Sequence, residues 1–135
     1  MARSDILDKF DRHGIKPTPQ RLKIAEILLE KPQHLSAEQI LDRLRESGGA
    51  VSKATVYNTL NLFGERGLVK ELSVDPERRY YDSSNVPHHH FYNVDSCELT
   101  DIDEREICFS ALPRLPEGTE SQSVEVLIKI RSRQD

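Results

Sequence analysis

The stretch "SAEQILDRLRESGGAVSKATVYNTLNLFGERG", residues 36–67, constrains the fold most, because it writes out two helices with their starts and stops. Ser36 and Gln39 form a capping-box pattern, each side chain able to satisfy the other's free backbone amide. Ile40, Leu41 and Leu44 then share one face, and Gly48-Gly49 ends the helix. Ser52 starts the next helix, with Val56, Leu60 and Phe63 at i, i+4 and i+7, and Gly67 fits its C-terminal cap. The break between the two is short. The second helix begins polar and becomes apolar, as a helix does when its N-terminal end enters a DNA groove and its C-terminal end joins a core.

The flanks extend the pattern. Ser4 is placed to cap a helix with Ile6, Leu7 and Phe10 on one face, stopping at Gly14. Thr18 as N-cap and Pro19 at the first helical position predict another helix to about Glu30, closed by Pro32. After Gly67, "LVKELSV" and "RRYYD" read as strands joined by the turn "DPE". Helices followed by a two-stranded hairpin predict a winged helix-turn-helix domain over residues 1–82. Ser83–Pro87 is a short polar hinge. Residues 88–135 predict a small α/β domain: strands "HHFYNV" and "CELTDI", a helix "DEREICFSAL", and a strand "SVEVLIKIR" with Val124, Val126, Ile128 and Ile130 on one face. The expected class is α+β. So small a second domain is marginal alone, and a homodimer would cover its sheet.

Charge is uneven between the front and back halves. Through Leu72 there are 12 basic and 10 acidic residues, net +2; from Ser73 on there are 7 and 13, net −6. The front half is the one suited to DNA, provided its cations are placed on one face. No apolar run reaches membrane-spanning length and the first ten residues carry four charges, so neither a membrane helix nor a signal peptide is expected, and the chain reads as cytoplasmic. Cys97 and Cys108 make no disulfide framework and no C-x-x-C occurs, which excludes a four-cysteine zinc site within one chain. Two unconnected thiols, Cys108 packed in a helix, are the expectation.

Two groups of residues carry chemistry. On the helix after Ser52, the side chains of Ser52, Lys53 and Thr55 are placed for phosphate oxygens, Tyr57 for a thymine methyl and Asn58 for a base edge. Lys16 and Arg21 flank Thr18 and suit a second stretch of backbone. The other group is "HHH" at 88–90. In a strand His88 and His90 share a face and His89 points away, which makes the first two a half-site for a transition metal. Asp82 and Asp101 are candidate carboxylate ligands. A nitrogen–oxygen site suits Fe²⁺, Mn²⁺ or Zn²⁺ without choosing among them. His34, alone between two helices, is more often a surface or core residue. No nucleophile or general-base motif accompanies these groups, so a metal-dependent enzyme ranks far behind a DNA-binding protein, and a metal-buffering protein is the remaining alternative.

"TPQRLKIAEIL", "HLSAEQI", "KATVYNTLNLFGERGLVKEL" and "HHHFY…ELTDI", in this order and spacing, resemble the ferric uptake regulator family over nearly the whole chain. The resemblance implies a dimeric, metal-dependent transcription factor, a repressor of iron-homeostasis or peroxide-stress genes, binding a palindromic operator. It places a regulatory metal on His34, Asp82, His88, His90 and Asp101, and raises His34 to a ligand linking the DNA domain to the metal. Asp82 six residues before His88, and Asn58 after Tyr57, resemble the peroxide-sensing branch. The family's structural zinc on paired C-x-x-C motifs has no counterpart: Asn93 and Ser96 stand at the first pair's positions. That loss and the "HHH" run resemble the iron-response-regulator branch, which makes a haem-responsive regulator using His88–His90 the alternative, with His89 open to a second metal or haem site.

Overall fold

The computed structural model describes residues 2–75, 78–84 and 88–134. The chain divides into two units, Met1–Asn85 and Val86–Asp135. Pro76 and Glu77 of the expected turn, and residues 85–87 of the expected hinge, lie outside the described residues.

The first unit runs α1 (Arg3–Arg12), α2 (Pro19–Leu28), β1 (His34–Ser36), α3 (Ala37–Glu46), α4 (Lys53–Glu65), β2 (Lys70–Asp75) and β3 (Arg78–Asp82). Local chemistry fixes the helix ends. Thr18 accepts from the Arg21 amide with Pro19 in the first turn, both halves of the Ser36/Gln39 box form, and Ser52 accepts from the Thr55 amide. Gly67 has φ +76, and the Leu68 amide donates to the Phe63 carbonyl at 2.9 Å. That left-handed turn closes the α4 C-terminus, and a side chain there would strain it. Two ends differ from expectation. Helix α1 starts at Arg3 with Ala2 in the cap position and no side-chain cap, so Ser4 lies inside the helix. Helix α2 stops at Leu28 rather than near Glu30.

One core fills this unit. Ile6 and Phe10 of α1, Ile24 and Leu28 of α2, Ile40 and Leu44 of α3, and Val56, Leu60 and Phe63 of α4 are fully buried or nearly so. Against them lies a three-stranded antiparallel sheet in the order β1-β3-β2. The hairpin is the wing, and β1, too short to carry a pattern of its own, was not expected. Tyr81 of β3 is fully buried, and its hydroxyl has no hydrogen-bond partner among the described residues. Burial pushes its phenol up from the ordinary value. An unsatisfied buried hydroxyl costs free energy that its removal recovers. Tyr81→Phe is therefore expected to leave stability unchanged or raise it by up to about 1 kcal/mol, read from denaturant midpoints; a loss of that size would mean the hydroxyl is bonded.

The second unit has β4 (His89–Asn93), β5 (Glu98–Ile102), a 3₁₀ turn at Glu104–Glu106 and β6 (Leu127–Ile130). The sheet order is β5-β4-β6, with β5 antiparallel and β6 parallel to β4. Tyr92, Leu99 and Ile102 are buried. The turn between β4 and β5 is organised by Asn93, whose Oδ1 accepts from the amides of Asp95 and Ser96 at 2.9 and 3.1 Å. Cys97 closes it with φ +60 and is half-buried.

Two expectations fail here. "DEREICFSAL" is not a helix. Asp103 accepts from the Arg105 amide and is gripped by the Arg105 guanidinium, which holds its carboxyl down at about 2. A single 3₁₀ turn results, and the chain then runs without regular structure past Pro113 and Pro116, with Cys108 exposed rather than packed in a helix. "SVEVLIKIR" forms a strand only over its last part, and Val124, Leu127, Ile128 and Ile130 are all exposed. The physical reason is common to both. A single chain offers these apolar side chains no second layer to pack on, so the hydrophobic gain that would fix a helix or a longer strand is missing.

Candidate metal centre and nucleic-acid face

Each unit carries part of the sequence-predicted metal set. In the first, His34 and Asp82 are Cα partners across the β1–β3 ladder. Directly opposite residues project to the same face. Asp82 is 3% exposed, and one carboxylate oxygen accepts from the Ser84 amide at 2.7 Å. Burying a carboxylate is costly unless it is hydrogen-bonded, paired or bound to a metal. His34 is half-buried. Spacing in sequence did not reveal this pairing, because the register of a strand too short to predict creates it.

In the second unit, His90 and Asp101 are Cα partners in the β4–β5 ladder, and His88 lies just before β4. Asp101 Oδ1 is 3.1 Å from His88 Nε2 and 3.5 Å from His90 Nε2. The two imidazoles stand edge to face with centroids 4.4 Å apart. His90 is buried, His88 is nearly so, and Asp101 is exposed. Two imidazole nitrogens and one carboxylate oxygen therefore converge with no sulfur among them. These residues fit a divalent first-row cation, since imidazole and carboxylate are the donors such ions take, and the strands already hold them close together.

His89 points to the opposite face, as the alternation predicts. It is 6% exposed, its Nδ1 accepts from the Val126 amide at 2.8 Å, and its ring meets Phe109 edge-on at 6.2 Å. This histidine ties the segment entering β6 to β4. Cys97 lies beyond the end of β4, in the turn before β5.

The remaining candidates gather on the first unit. Thr18, Gln20 and Arg21 at the start of α2 and Thr55, Asn58 and Asn61 on α4 line one polar cleft. Arg21 donates to the Lys16 backbone carbonyl at 2.7 Å; Arg21 lines the cleft and Lys16 does not. Ser52 and Thr55 share a hydroxyl–hydroxyl bond of 2.9 Å at the α4 N-terminus. Lys53 Nζ sits 5.8 Å from the centre of the Tyr57 ring. Two helix N-termini, with Arg21 beside the first, make an anion-favouring surface, and the side-chain amides of Asn58 and Asn61 on α4 can pair with base edges. Gln20 and Asn61 were not among the expected residues; Asn61's position three residues after Asn58, on the same helix face, was the available signal. Among the described residues, no helix is long and apolar enough to cross a membrane.

The family model described as "Ferric uptake regulator family" matches residues 12–128. The chain is 32% identical over 95 residues to the ferric uptake regulation protein of Synechococcus elongatus, covering 68% of this chain and 65% of that protein. It is 36% identical over 86 residues to the peroxide operon regulator of Bacillus subtilis, covering 64% of this chain and 59% of that protein. The match thus spans less than two thirds of the length of either curated relative. Among solved structures, the ferric uptake regulator from Pseudomonas aeruginosa with manganese superposes with a TM-score of 0.71 at 26% identity, covering 95% of this chain and 98% of that one.

Proposed function

The chain belongs to the ferric uptake regulator family, and on that premise we propose that it is a metal-dependent DNA-binding regulator of transcription, acting in the cytoplasm on iron-homeostasis or peroxide-stress genes. The observation that carries the reading is the convergence of His88, His90 and Asp101 in a chain whose other unit is a winged helix with a polar recognition helix. Residues 1–82 bind DNA, and 88–135 sense the metal and hold two copies together. The exposed Leu127, Ile128 and Ile130 of β6 are the surface such a dimer would cover.

His88, His90 and Asp101 hold the cation, and His34 and Asp82 complete its ligand set from the winged-helix unit. When bound, a divalent Fe²⁺, Mn²⁺ or Zn²⁺ supplies a cross-link that fixes how the winged helix is presented. This chain's own residues do the rest. Asp82 and His34 are held on one face by the β1–β3 ladder, so they are captured together or not at all. His90 and Asp101 are held the same way by β4 and β5. His89 is the strut behind them, through Val126. On the DNA side, Lys16, Arg21, Ser52, Lys53 and Thr55 grip phosphates, while Tyr57 and Asn58 face bases. A dimer presenting two such helices reads two half-sites of a palindrome. Dimer cohesion in this chain comes from apolar packing, with Asn93 and Ser96 standing where a structural zinc site would begin.

The test is selection of a duplex from a randomised pool by the full chain loaded with Mn²⁺, followed by binding with the metal stripped by a chelator. Recovery of an inverted repeat bound about 5–150-fold more tightly with metal, the usual span of a coupling free energy, supports the reading. Failure to enrich any duplex with or without metal would leave a metal-buffering protein instead.

A further inference from the structure

Tyr57 on the recognition helix is held from two sides. Its hydroxyl donates to Glu38 Oε1, on the first turn of α3, and Lys53 lies over its ring. Glu38 was singled out by no sequence pattern beyond its place inside the capping box. We propose that Glu38 is a positioning residue for DNA recognition, which locks the Tyr57 ring in one orientation and makes it an apolar reader of thymine rather than a phosphate ligand. This rests on the DNA-binding reading above.

The chemistry runs from the hydrogen-bond inventory. A phenol has one proton to donate. Here it goes to a carboxylate, so a phosphate beside Tyr57 receives no donor from it. The carboxylate is stabilised as an anion. It sits in the first turn of α3, where the helix N-terminus favours negative charge, and Tyr57, Lys53 and Arg78 all hold it below the ordinary carboxylate range. The phenol responds in the opposite sense, its ionisation pushed up to about 12 by the same bond. At any working pH the pair is therefore one carboxylate and one neutral phenol. With the phenol proton committed to Glu38, phosphate goes to the neighbouring Lys53 and the ring edge is the part of Tyr57 left for a base. Pinning that ring before binding also removes the rotamer cost of fixing it on the DNA. A thymine methyl is the apolar feature of a major-groove edge.

The experiment uses the full chain with Mn²⁺ and the duplex recovered by selection, with each thymine replaced singly by deoxyuridine, which removes only the methyl. The wild-type chain is expected to lose affinity by about fourfold at one thymine of each half-site, the worth of one buried methyl group. In Glu38→Ala that loss falls below about twofold, because the ring is no longer held against the methyl. Glu38→Gln, whose amide oxygen still accepts from the phenol, keeps the fourfold loss at that same thymine. Tyr57→Phe keeps the ring but not the bond and behaves as Glu38→Ala. Melting curves verify that each variant is folded. An unchanged thymine-to-uracil ratio in folded Glu38→Ala overturns the proposal, as does a wild-type chain insensitive to every methyl. Absence of any selected duplex strikes the DNA-binding reading instead.

Discussion

His90→Ala is expected to abolish metal control of DNA binding. Of the ligands proposed in the second unit, His90 is the most buried: it is 5% exposed, is the Cα partner of Asp101, and stands 4.4 Å ring to ring from His88. Removing its imidazole takes away one donor and the neighbour that orients both others. Loss of a residue that only supports a ligand typically costs about 10–100-fold in metal affinity, so loss of the ligand itself should cost at least about 100-fold. Competition against a chelator of known affinity measures this directly. The variant should then bind the selected duplex equally well with and without added Mn²⁺, at the weak affinity of the stripped wild-type chain. Substitution leaves β4 paired on both sides, so the melting temperature of the stripped protein should move little. If His90→Ala retains wild-type metal affinity, the metal lies elsewhere.

Phe63→Ala is expected to be the most destabilising single change in the winged-helix unit. Phe63 is fully buried at the end of α4, and its ring is 5.6 Å from that of Phe10 on α1. Its carbonyl also receives the amide of Leu68 that closes the helix. Truncation removes the packing between the first and last helices and leaves a cavity, for about 3–5 kcal/mol. In a domain of this size each kcal/mol is worth roughly 4–8 °C in melting temperature, so the fall should exceed about 12 °C. DNA binding would be lost through unfolding of the reading head, while His88, His90 and Asp101, carried on another sheet, keep their places. A fall of only a few degrees would mean that the core closes over the gap.

These two residues also show what was legible in the sequence. Phe63 was assigned to an apolar face from i, i+4, i+7 spacing, and α2, α3 and α4 were readable because Thr18, Ser36 and Ser52 bond the free backbone amides locally, whereas α1 was readable from its apolar face alone. The His88/His90 pair was readable because alternation along a strand is a two-residue rule. What escaped depends on groups far apart in the chain. Strand β1 is too short to show a period, and it is what sets His34 opposite Asp82. The Glu38–Tyr57 bond joins two helices and leaves no mark on either pattern. The helix expected over "DEREICFSAL" failed because Asp103 and Arg105 bond each other and the apolar residues after them have no layer to cover within one chain. The strand expected over "SVEVLIKIR" shortened for the second of those reasons.

One cation is proposed to join ligands of the second unit to His34 and Asp82 of the winged-helix unit. The most direct test is the ratio of DNA affinities of metal-loaded and stripped protein in His34→Ala beside the wild type, with the bound metal of each measured. His34→Ala is expected still to take up metal on His88, His90 and Asp101, more weakly, yet to gain little or no DNA affinity from it at saturating Mn²⁺. A variant that is metal-loaded and shows the full wild-type gain would contradict it.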